Sequence, residues 1–265
     1  MCGGRVVENE YILEMKNIYK SFGGLRALVN VNLFLKHSEI VGLVGDNAAG
    51  KSTLMKILSG AYHADDGQIF FNGTEVHVTN PRVARQLGIE MVYQDLELCK
   101  NLDVPANLYL GRELHTESFL KFLKKRNMEQ QSLDILRRLK IDIKNPRQKV
   151  NKLSGGQQQA VAIGRAVSFN PKIVIMDEPT ANLALVEIEK VLELTMRLKS
   201  HGISIVFISH RLDDVFRVSD RIYVLKHGYI VAVKDKLQTN KEEIVKAMFM
   251  EAHEQEGASP IKNIT

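Results

Sequence analysis

A glycine-rich segment early in the chain has the residue types and spacing of a phosphate-binding loop. Residues 45–52 read Gly-Asp-Asn-Ala-Ala-Gly-Lys-Ser and fit the pattern G-x-x-x-x-G-K-[ST]. Backbone N–H groups of such a loop point at an anion, and the following helix adds its positive N-terminal dipole. Lys51 would supply a full charge to phosphate oxygens, and Ser52 would ligate Mg²⁺. The predicted phosphate contacts are Gly45, Asp46, Asn47, Ala48, Ala49, Gly50, Lys51, Ser52 and Thr53.

Two adjacent carboxylates follow an apolar run later in the chain. Asp177 and Glu178 come directly after the apolar residues Ile173 to Met176. Acids at the end of a buried strand are costly unless a cation or hydrogen bonds meet them. A strand beside the phosphate loop would bring Asp177 to the metal, and Glu178, one residue on, would polarise water. The competing interpretation is a pair of acids that caps a helix.

Ser154, Gly155, Gly156 and Gln157 precede a helix-like apolar pattern. Ser154 and Gln157 have the spacing of a capping box, so the segment fits a well-capped helix. Two consecutive glycines weaken a first helical turn, yet they let an anion approach the backbone closely. We therefore predict a second phosphate-binding helix start here.

The elements that would position these groups form an α/β core. Three nearly continuous apolar runs, Ile40 to Val44, Ile173 to Met176 and Ile203 to Ile208, are typical of strands buried in a parallel sheet. Helix-like stretches follow them, so functional residues are expected at the carboxyl ends of the strands. Antiparallel strands are predicted near the N-terminus, around Val29 to Leu33 and in a hairpin at Asn72-Gly73.

The middle of the chain has a helical pattern. Residues 95–160 are rich in Lys and Arg, with apolar Met128, Leu133, Leu136 and Leu139 on one helix face. We therefore predict one domain over residues 10–250, in which residues 95–160 form a helical subdomain inserted in the α/β core. Residues 251–265 lack apolar periodicity, and a flexible tail is expected there.

Composition narrows the class of protein. The 265 residues include 36 Lys and Arg against 31 Asp and Glu, and the two signs are mixed along the chain, so no nucleic-acid partner is expected. The only cysteines, Cys2 and Cys99, have no metal-ligand spacing and favour a reducing compartment. Residues 1–15 carry four charged side chains, which argues against a secretory signal, and no apolar run is long enough to span a bilayer.

The order of the three chemical segments resembles that of the nucleotide-binding subunit of ABC transporters, over residues 12–250. That resemblance implies an ATPase with the fold of a P-loop ABC cassette. It also assigns three residues: Phe22 would stack on adenine, Gln94 would touch Mg²⁺, and His210 would contact the γ-phosphate. It implies ATP and Mg²⁺ as ligands, and a second copy of the chain in a head-to-tail ATP sandwich that the segment at Ser154 completes.

Two further segments resemble the single-cassette ATPases of bacterial monosaccharide importers of the ribose, xylose and fructose type. They are Gly111-Arg112-Glu113 and the run from Ser209 to Phe216. This resemblance implies an integral-membrane permease as partner, a solute-binding protein as indirect partner, and a location at the cytoplasmic face of the inner membrane. A permease-docking groove is expected at an apolar set after Gln94, although packing within the insert explains it equally well: Leu96, Leu98, Leu102, Val104 and Leu108.

The chain departs from the family pattern at three positions. Ala48 and Ser38 replace usual glycines, and each would cost on the order of 1 kcal/mol if its φ is positive. Ala184 replaces an aspartate that links the two nucleotide sites across the dimer, so weak cooperativity in ATP is expected.

Other functions compete with transport. A chromosome or repair ATPase of the superfamily commonly has a long coiled coil between the phosphate loop and the segment that corresponds to Ser154–Gln157. In this chain only 103 positions separate Lys51 from Ser154, which is too short for such a coiled coil. Soluble translation factors of this type normally carry two cassettes. A nucleotide-binding regulator that does not hydrolyse ATP is the third alternative, and the presence of Glu178 and His210 argues against it.

Overall fold

Strands and helices alternate along most of the chain, as the sequence predicts. A computed structural model describes residues 9–117 and 121–249, so the predicted tail at 251–265 lies outside it. The strands are β1 (Tyr11–Phe22), β2 (Leu25–Lys36), β3 (Ile40–Val44), β4 (Asp66–Phe71), β5 (Thr74–Glu75), β6 (Ile89–Val92), β7 (Ile173–Asp177), β8 (Ser204–Ile208), β9 (Arg221–Lys226) and β10 (Tyr229–Asp235). The α-helices are α1 (Lys51–Leu58), α2 (Pro81–Leu87), α3 (Val104–Leu108), α4 (Lys125–Arg138), α5 (Gly155–Val167), α6 (Leu185–Ser200), α7 (Leu212–Val218) and α8 (Lys241–Phe249).

A six-stranded sheet forms the centre of the core. Its order is β10-β9-β3-β8-β7-β6, and all neighbouring strands are parallel except the edge pair β9 and β10. Every residue of β3, β7 and β8 is buried, as their continuous apolar sequences predict. Because β3, β8, β7 and β6 are parallel neighbours, the segments that follow them meet at one edge of the sheet.

The antiparallel part lies near the N-terminus, as predicted. Its order is β2-β1-β4-β5, and Asn72 and Gly73 form the β4–β5 turn with φ of 48° and 77°. Strand β5 ends at Glu75, and the following residues Val76 and Val78 pack on the core. The next helix, α2, begins after Asn80, whose side chain accepts two backbone N–H groups, and ends at Gly88 in the left-handed conformation.

The region after β6 is helical. Helices α3 and α4, a 3₁₀ turn at Val150–Lys152 and the start of α5 account for its regular structure, and no strand occurs among its described residues. It has its own small core, which includes Val104, Met128 and Leu136. The predicted fold class, an α/β core with an N-terminal antiparallel portion and a helical insert, is therefore confirmed. Within the described ranges, no helix is both long and apolar enough to cross a membrane.

Candidate functional site

The phosphate loop follows β3 and is enclosed by backbone from two other strands. A Cβ atom on Gly45 would lie 2.0 Å from the Leu225 carbonyl oxygen, and one on Gly50 would lie 2.6 Å from that of Ala27. Both glycines have positive φ, 153° and 108°, and Gly50 is the N-cap of α1. Strands β2 and β9 therefore fix the loop at the N-terminus of α1, where an anion is favoured.

Lys51 is held inside this loop. Its side chain is buried, and Nζ donates to the carbonyl oxygens of Gly45 at 2.8 Å and Asp46 at 2.9 Å. Burial lowers the pKa of Lys51, and the nearby carboxylates of Glu178 and Asp177 oppose that effect. Neutral carbonyl groups compensate a buried ammonium less well than an anion does, so a phosphate would be the better partner.

Asp177 ends β7 as a buried carboxylate. Desolvation raises its pKa, while the Ser52 hydroxyl and the Lys51 charge act in the opposite direction. Carboxylate and hydroxyl oxygens are ligands that Mg²⁺ prefers. Within the described ranges, no group of three or more His, Cys, Asp or Glu side chains could hold a metal by itself. The residues fit a Mg²⁺ ion that draws its other ligands from phosphates and water.

Glu178 and His210 lie together beside this carboxylate. His210 Nδ1 and Glu178 Oε2 are 2.8 Å apart. Glu178 has a φ of 50°, and its backbone N–H donates to the Ile208 carbonyl at 3.0 Å, which ties it to the end of β8. The positive φ turns the Glu178 side chain out of the strand, so the adjacent acids Asp177 and Glu178 take different surroundings.

Gln94 and Phe22 are the remaining residues that are predicted to contact Mg²⁺ and adenine. Gln94 is exposed and comes two residues after Val92, which pairs with Met176 at the end of β7. Phe22 is 43% exposed, and the centroids of the Phe22 and Tyr62 rings are 5.3 Å apart with an angle of 66° between the ring planes. The strand that follows Phe22 carries Ala27, whose carbonyl lies beside Gly50 of the phosphate loop, and Lys20 Nζ lies over the Phe22 ring, 5.4 Å from its centroid. The contact of Phe22 with adenine stays a prediction.

The segment from Ser154 to Gln157 begins α5. Ser154 Oγ accepts the Gln157 N–H at 3.3 Å, and Gln157 Oε1 accepts the Ser154 N–H at 3.1 Å, so the capping box is present. An anion is also present at this helix start: Glu187 Oε1 accepts from Ser154 Oγ at 2.9 Å and from the Gly156 N–H at 3.0 Å. Among the described residues, no hydrogen bond joins Ser154–Gln157 to the phosphate loop.

Two residues that the sequence did not single out connect helix α5 to other segments of the chain. One is Glu187, described above. The other is Arg165 on α5, which donates to the carbonyl oxygens of Leu96 at 3.0 Å and Glu97 at 2.8 Å. Burial lowers the pKa of Arg165. An arginine between the apolar residues Ile163 and Ala166 was the sequence signal for such an anchor.

The apolar set after Gln94 divides into two groups. Val104 and Leu108 are buried in the small core of the helical region, so the prediction that they line a docking groove is wrong. They face inward because α3 packs against α4 and α5. Leu96, Leu98 and Leu102 are half-buried, and their role in docking stays a prediction.

The three departures from the family pattern have distinct surroundings. Ala48 and Ser38 have φ of 65° and 53°, which confirms the strained backbone that their replacement of glycine predicts. Ala184 is the N-cap of α6, a position where its methyl group provides no acceptor, and its N–H donates to Glu187 Oε2 at 3.4 Å.

Comparison with known proteins shows which family this chain is similar to. Residues 28–181 match the ABC transporter family. The xylose/arabinose import ATP-binding protein of Sulfolobus acidocaldarius is 46% identical over 89% of this chain and 93% of its own length. The ribose import ATP-binding protein of Geobacillus kaustophilus is 41% identical over 89% of the chain. The chain spans about half of that protein, 48% of its length.

Two solved structures with the same fold represent product states of nucleotide hydrolysis. The ADP conformation of an ATP-binding cassette of an ABC transporter superposes with a TM-score of 0.78 and 32% identity, over 91% of this chain and 95% of that one. A dimeric, post-hydrolysis cassette bound to ADP and Pi gives a TM-score of 0.72 and 27% identity, over 84% of this chain and 98% of that one.

Proposed function

The chain belongs to the ABC transporter family, and we propose that it is the ATP-hydrolysing subunit that powers import of a monosaccharide through a separate membrane permease. One observation carries the hydrolytic part of this proposal. Lys51 in the phosphate loop, the buried Asp177 and the pair of Glu178 and His210 all lie at the carboxyl edge of one parallel sheet. That edge is where ligands bind in sheets of this kind.

The reaction is hydrolysis of the bond between the β- and γ-phosphates of ATP. Catalysis of this reaction consists mostly of positioning and charge neutralisation. Lys51 leaves its carbonyl partners for phosphate oxygens. Ser52, Gln94 and Asp177 are the residues that would hold Mg²⁺, which neutralises phosphate charge when bound.

Glu178 and His210 act on the attacking water and the γ-phosphate. Because an ionised carboxylate only accepts hydrogen bonds, His210 donates from Nδ1 to Glu178. Glu178 polarises the water. With Nδ1 donating to Glu178, Nε2 of His210 is the ring nitrogen left for the γ-phosphate, and it donates to that anion when the ring carries both protons. Phe22, which is 43% exposed, stacks on the adenine ring.

The functional unit is a dimer of chains around two ATP molecules. Ser154, Gly155, Gly156 and Gln157 of one chain complete the nucleotide site of the other. This arrangement is supported by the absence, in the described part of one chain, of hydrogen bonds between these residues and the phosphate loop. It is also supported by the similarity to a dimeric cassette bound to ADP and Pi.

The monosaccharide and permease assignments depend on relatives. The relative at 46% identity is named for xylose and arabinose import, and that at 41% for ribose import. A subunit with such a role lies at the cytoplasmic face of the membrane, bound to the permease. A solute-binding protein delivers the sugar from the other side.

Uptake in the native host tests this function. Replacement of the chain by Glu178→Gln should abolish uptake of one labelled pentose or hexose and leave other sugars unaffected, because the amide cannot act as a base. Glu193→Gln, a change of the same type at an exposed position on α6, is the control.

Purified protein separates the alternatives. Mg²⁺-dependent ATP turnover should fall about 100-fold or more in Glu178→Gln while ATP binding persists. Unchanged sugar uptake with loss of turnover would favour a soluble ATPase that is not coupled to transport. No turnover in the unaltered chain, even with its membrane partner, would favour a regulator that only binds nucleotide.

A further inference from the structure

The N-terminus of α5 is covered by a carboxylate of the same chain. Glu187 Oε1 accepts hydrogen bonds from the Ser154 hydroxyl at 2.9 Å and from the Gly156 N–H at 3.0 Å. We refer to these two hydrogen bonds as the Glu187 clasp. They join α5 to the start of α6, 31 and 33 residues further along the chain.

The second glycine of the segment makes room for this contact. A Cβ atom on Gly156 would lie 2.8 Å from both Cβ and Cγ of Glu187, closer than real Cβ atoms approach other atoms. A Cβ atom on Gly155 would lie 3.3 Å from its nearest neighbour, Cδ2 of Leu183. The close approach that the glycines permit is thus used, within a single chain, by Glu187.

We propose that Glu187 occupies the place of the γ-phosphate of the partner chain's ATP, and that this phosphate must displace it before the ATP sandwich closes. The proposal rests on the dimer of the proposed function and adds a residue to it. Glu187 is a positioning residue, and it sets the ATP concentration that is required for closure of the dimer.

The donors involved cannot serve two anions at once. A serine hydroxyl has one proton and a backbone N–H has one, so each donates fully to either the carboxylate or the phosphate. Ser154 Oγ continues to accept the Gln157 N–H in either case, since this uses a lone pair. The helix start therefore remains capped while its anion changes.

The carboxylate is ionised when it competes. The hydrogen bond from the Ser154 hydroxyl is the largest cause that lowers the pKa of Glu187, and the hydrogen bond from the Gly156 N–H lowers it further. A charged Glu187 also repels an approaching phosphate, so both loss of donors and like charge oppose closure.

Light scattering on a non-hydrolysing dimer tests the inference. The parent protein is Glu178→Gln, and the double variants add Glu187→Gln or, as the matched control on the same helix, Glu193→Gln. With Glu187→Gln, the ATP concentration for half-maximal dimerisation should fall about fivefold or more, because a neutral amide accepts these hydrogen bonds more weakly than a carboxylate. Glu193→Gln should leave that concentration unchanged.

Binding of a fluorescent ATP analogue to the monomer distinguishes failure of the ATP sandwich from failure of the proposal for Glu187. Glu187→Gln should leave this affinity unchanged, since Glu187 does not contact the phosphate loop of its own chain. A parent that stays monomeric at saturating ATP would overturn the ATP sandwich, and the inference with it. A parent that dimerises, with an unchanged or higher ATP requirement in Glu187→Gln, would overturn the inference alone and show that Glu187 only braces α5.

Discussion

The two helix starts that the sequence marks for phosphate hold opposite charges in a single chain. At α1 the buried group is a cation, Lys51, held by neutral carbonyls. At α5 the group at the helix start is a half-buried anion, Glu187, held by a hydroxyl and an N–H. Burial lowers the pKa of Lys51, whereas hydrogen bonds lower that of Glu187. The first start is therefore left without its best partner, while the second is already satisfied by the chain.

This difference suggests an order of events. The dipole of a helix N-terminus is common to both starts, so it does not decide which of them binds nucleotide first. The charge that the rest of the chain delivers to each start decides it. A nucleotide binds the α1 start of one chain, and the α5 start of the other accepts the phosphate only after its own carboxylate leaves.

The largest expected effect comes from removing one donor at each start. Lys51→Ala should weaken ATP binding to a single chain about 100-fold, because the buried charge that meets the phosphates is lost. Ser154→Ala should leave that binding unchanged and impair only ATP-dependent dimerisation. Titration with a fluorescent ATP analogue measures the first quantity and light scattering the second. Weaker single-chain binding in Ser154→Ala would show that both starts serve one nucleotide within one chain.

A second prediction concerns the connection between the two regions. Arg165 lies near the end of α5 and holds the segment after Gln94 through two backbone carbonyls. Arg165→Ala should lower the free energy of unfolding by about 2 kcal/mol, since it leaves those carbonyls without a charged donor. ATP turnover should fall about tenfold, because a displaced Gln94 segment misplaces a metal ligand. Chemical denaturation and steady-state turnover measure the two effects.

The exposed Arg138 at the end of α4 provides the control for this prediction. Arg138→Ala should change neither quantity appreciably. Arg165→Lys should restore only part of the loss, because an ammonium lacks the planar fork that reaches two carbonyls. Full activity in Arg165→Ala would mean that the two regions work without this connection.

The sequence predicts the phosphate loop side better than the α5 side. Loop, strand and acid pair lie in short contiguous segments whose local pattern specifies strand, turn and helix, so their meeting at one sheet edge follows from parallel pairing. The Glu187 clasp joins residues more than 30 positions apart, and nothing in the local pattern of α6 distinguishes Glu187 from Glu189 or Glu193. Likewise Val104 and Leu108 fit either a groove or a core, and only the packing of α3 decides between them.

A third prediction uses the opposite pKa shifts of two carboxylates. Burial raises the pKa of Asp177, so its ionised form is disfavoured in the folded chain. A group whose pKa is raised by folding contributes to the stability of the folded chain at low pH. That contribution is lost as the pH rises through the folded-state pKa. Asp177→Asn should therefore make the nucleotide-free chain more stable at pH 7. Below about pH 4 this advantage should vanish.

Glu187→Gln should show the reverse dependence. A lowered folded-state pKa contributes stability above the unfolded pKa, and this contribution is lost as the pH falls through the folded-state value. The variant should be slightly less stable than the unaltered chain at pH 7, and the gap should close in acid. Urea denaturation between pH 3 and pH 7 measures both variants. If both variants changed stability at pH 7 in the same direction, the contrast would fail between the α1 start, which lacks an anionic partner, and the α5 start, which has one.

The smallest effect is expected at Ala48, where strain lies within the phosphate loop itself. Its φ of 65° places an L-residue in the left-handed region, which glycine occupies without steric cost. Ala48→Gly removes that cost but adds freedom to the unfolded chain, so the net gain in stability should be about 0.5 kcal/mol. Ser38→Gly, at a φ of 53° in the turn before β3, is the matched control, with a similar gain expected. If only Ala48→Gly also strengthens ATP binding, then the strain opposes the loop shape that phosphate requires. Equal stability gains without a change in ATP binding would mean that the loop already has that shape, because the backbone of β2 and β9 holds it at Gly50 and Gly45.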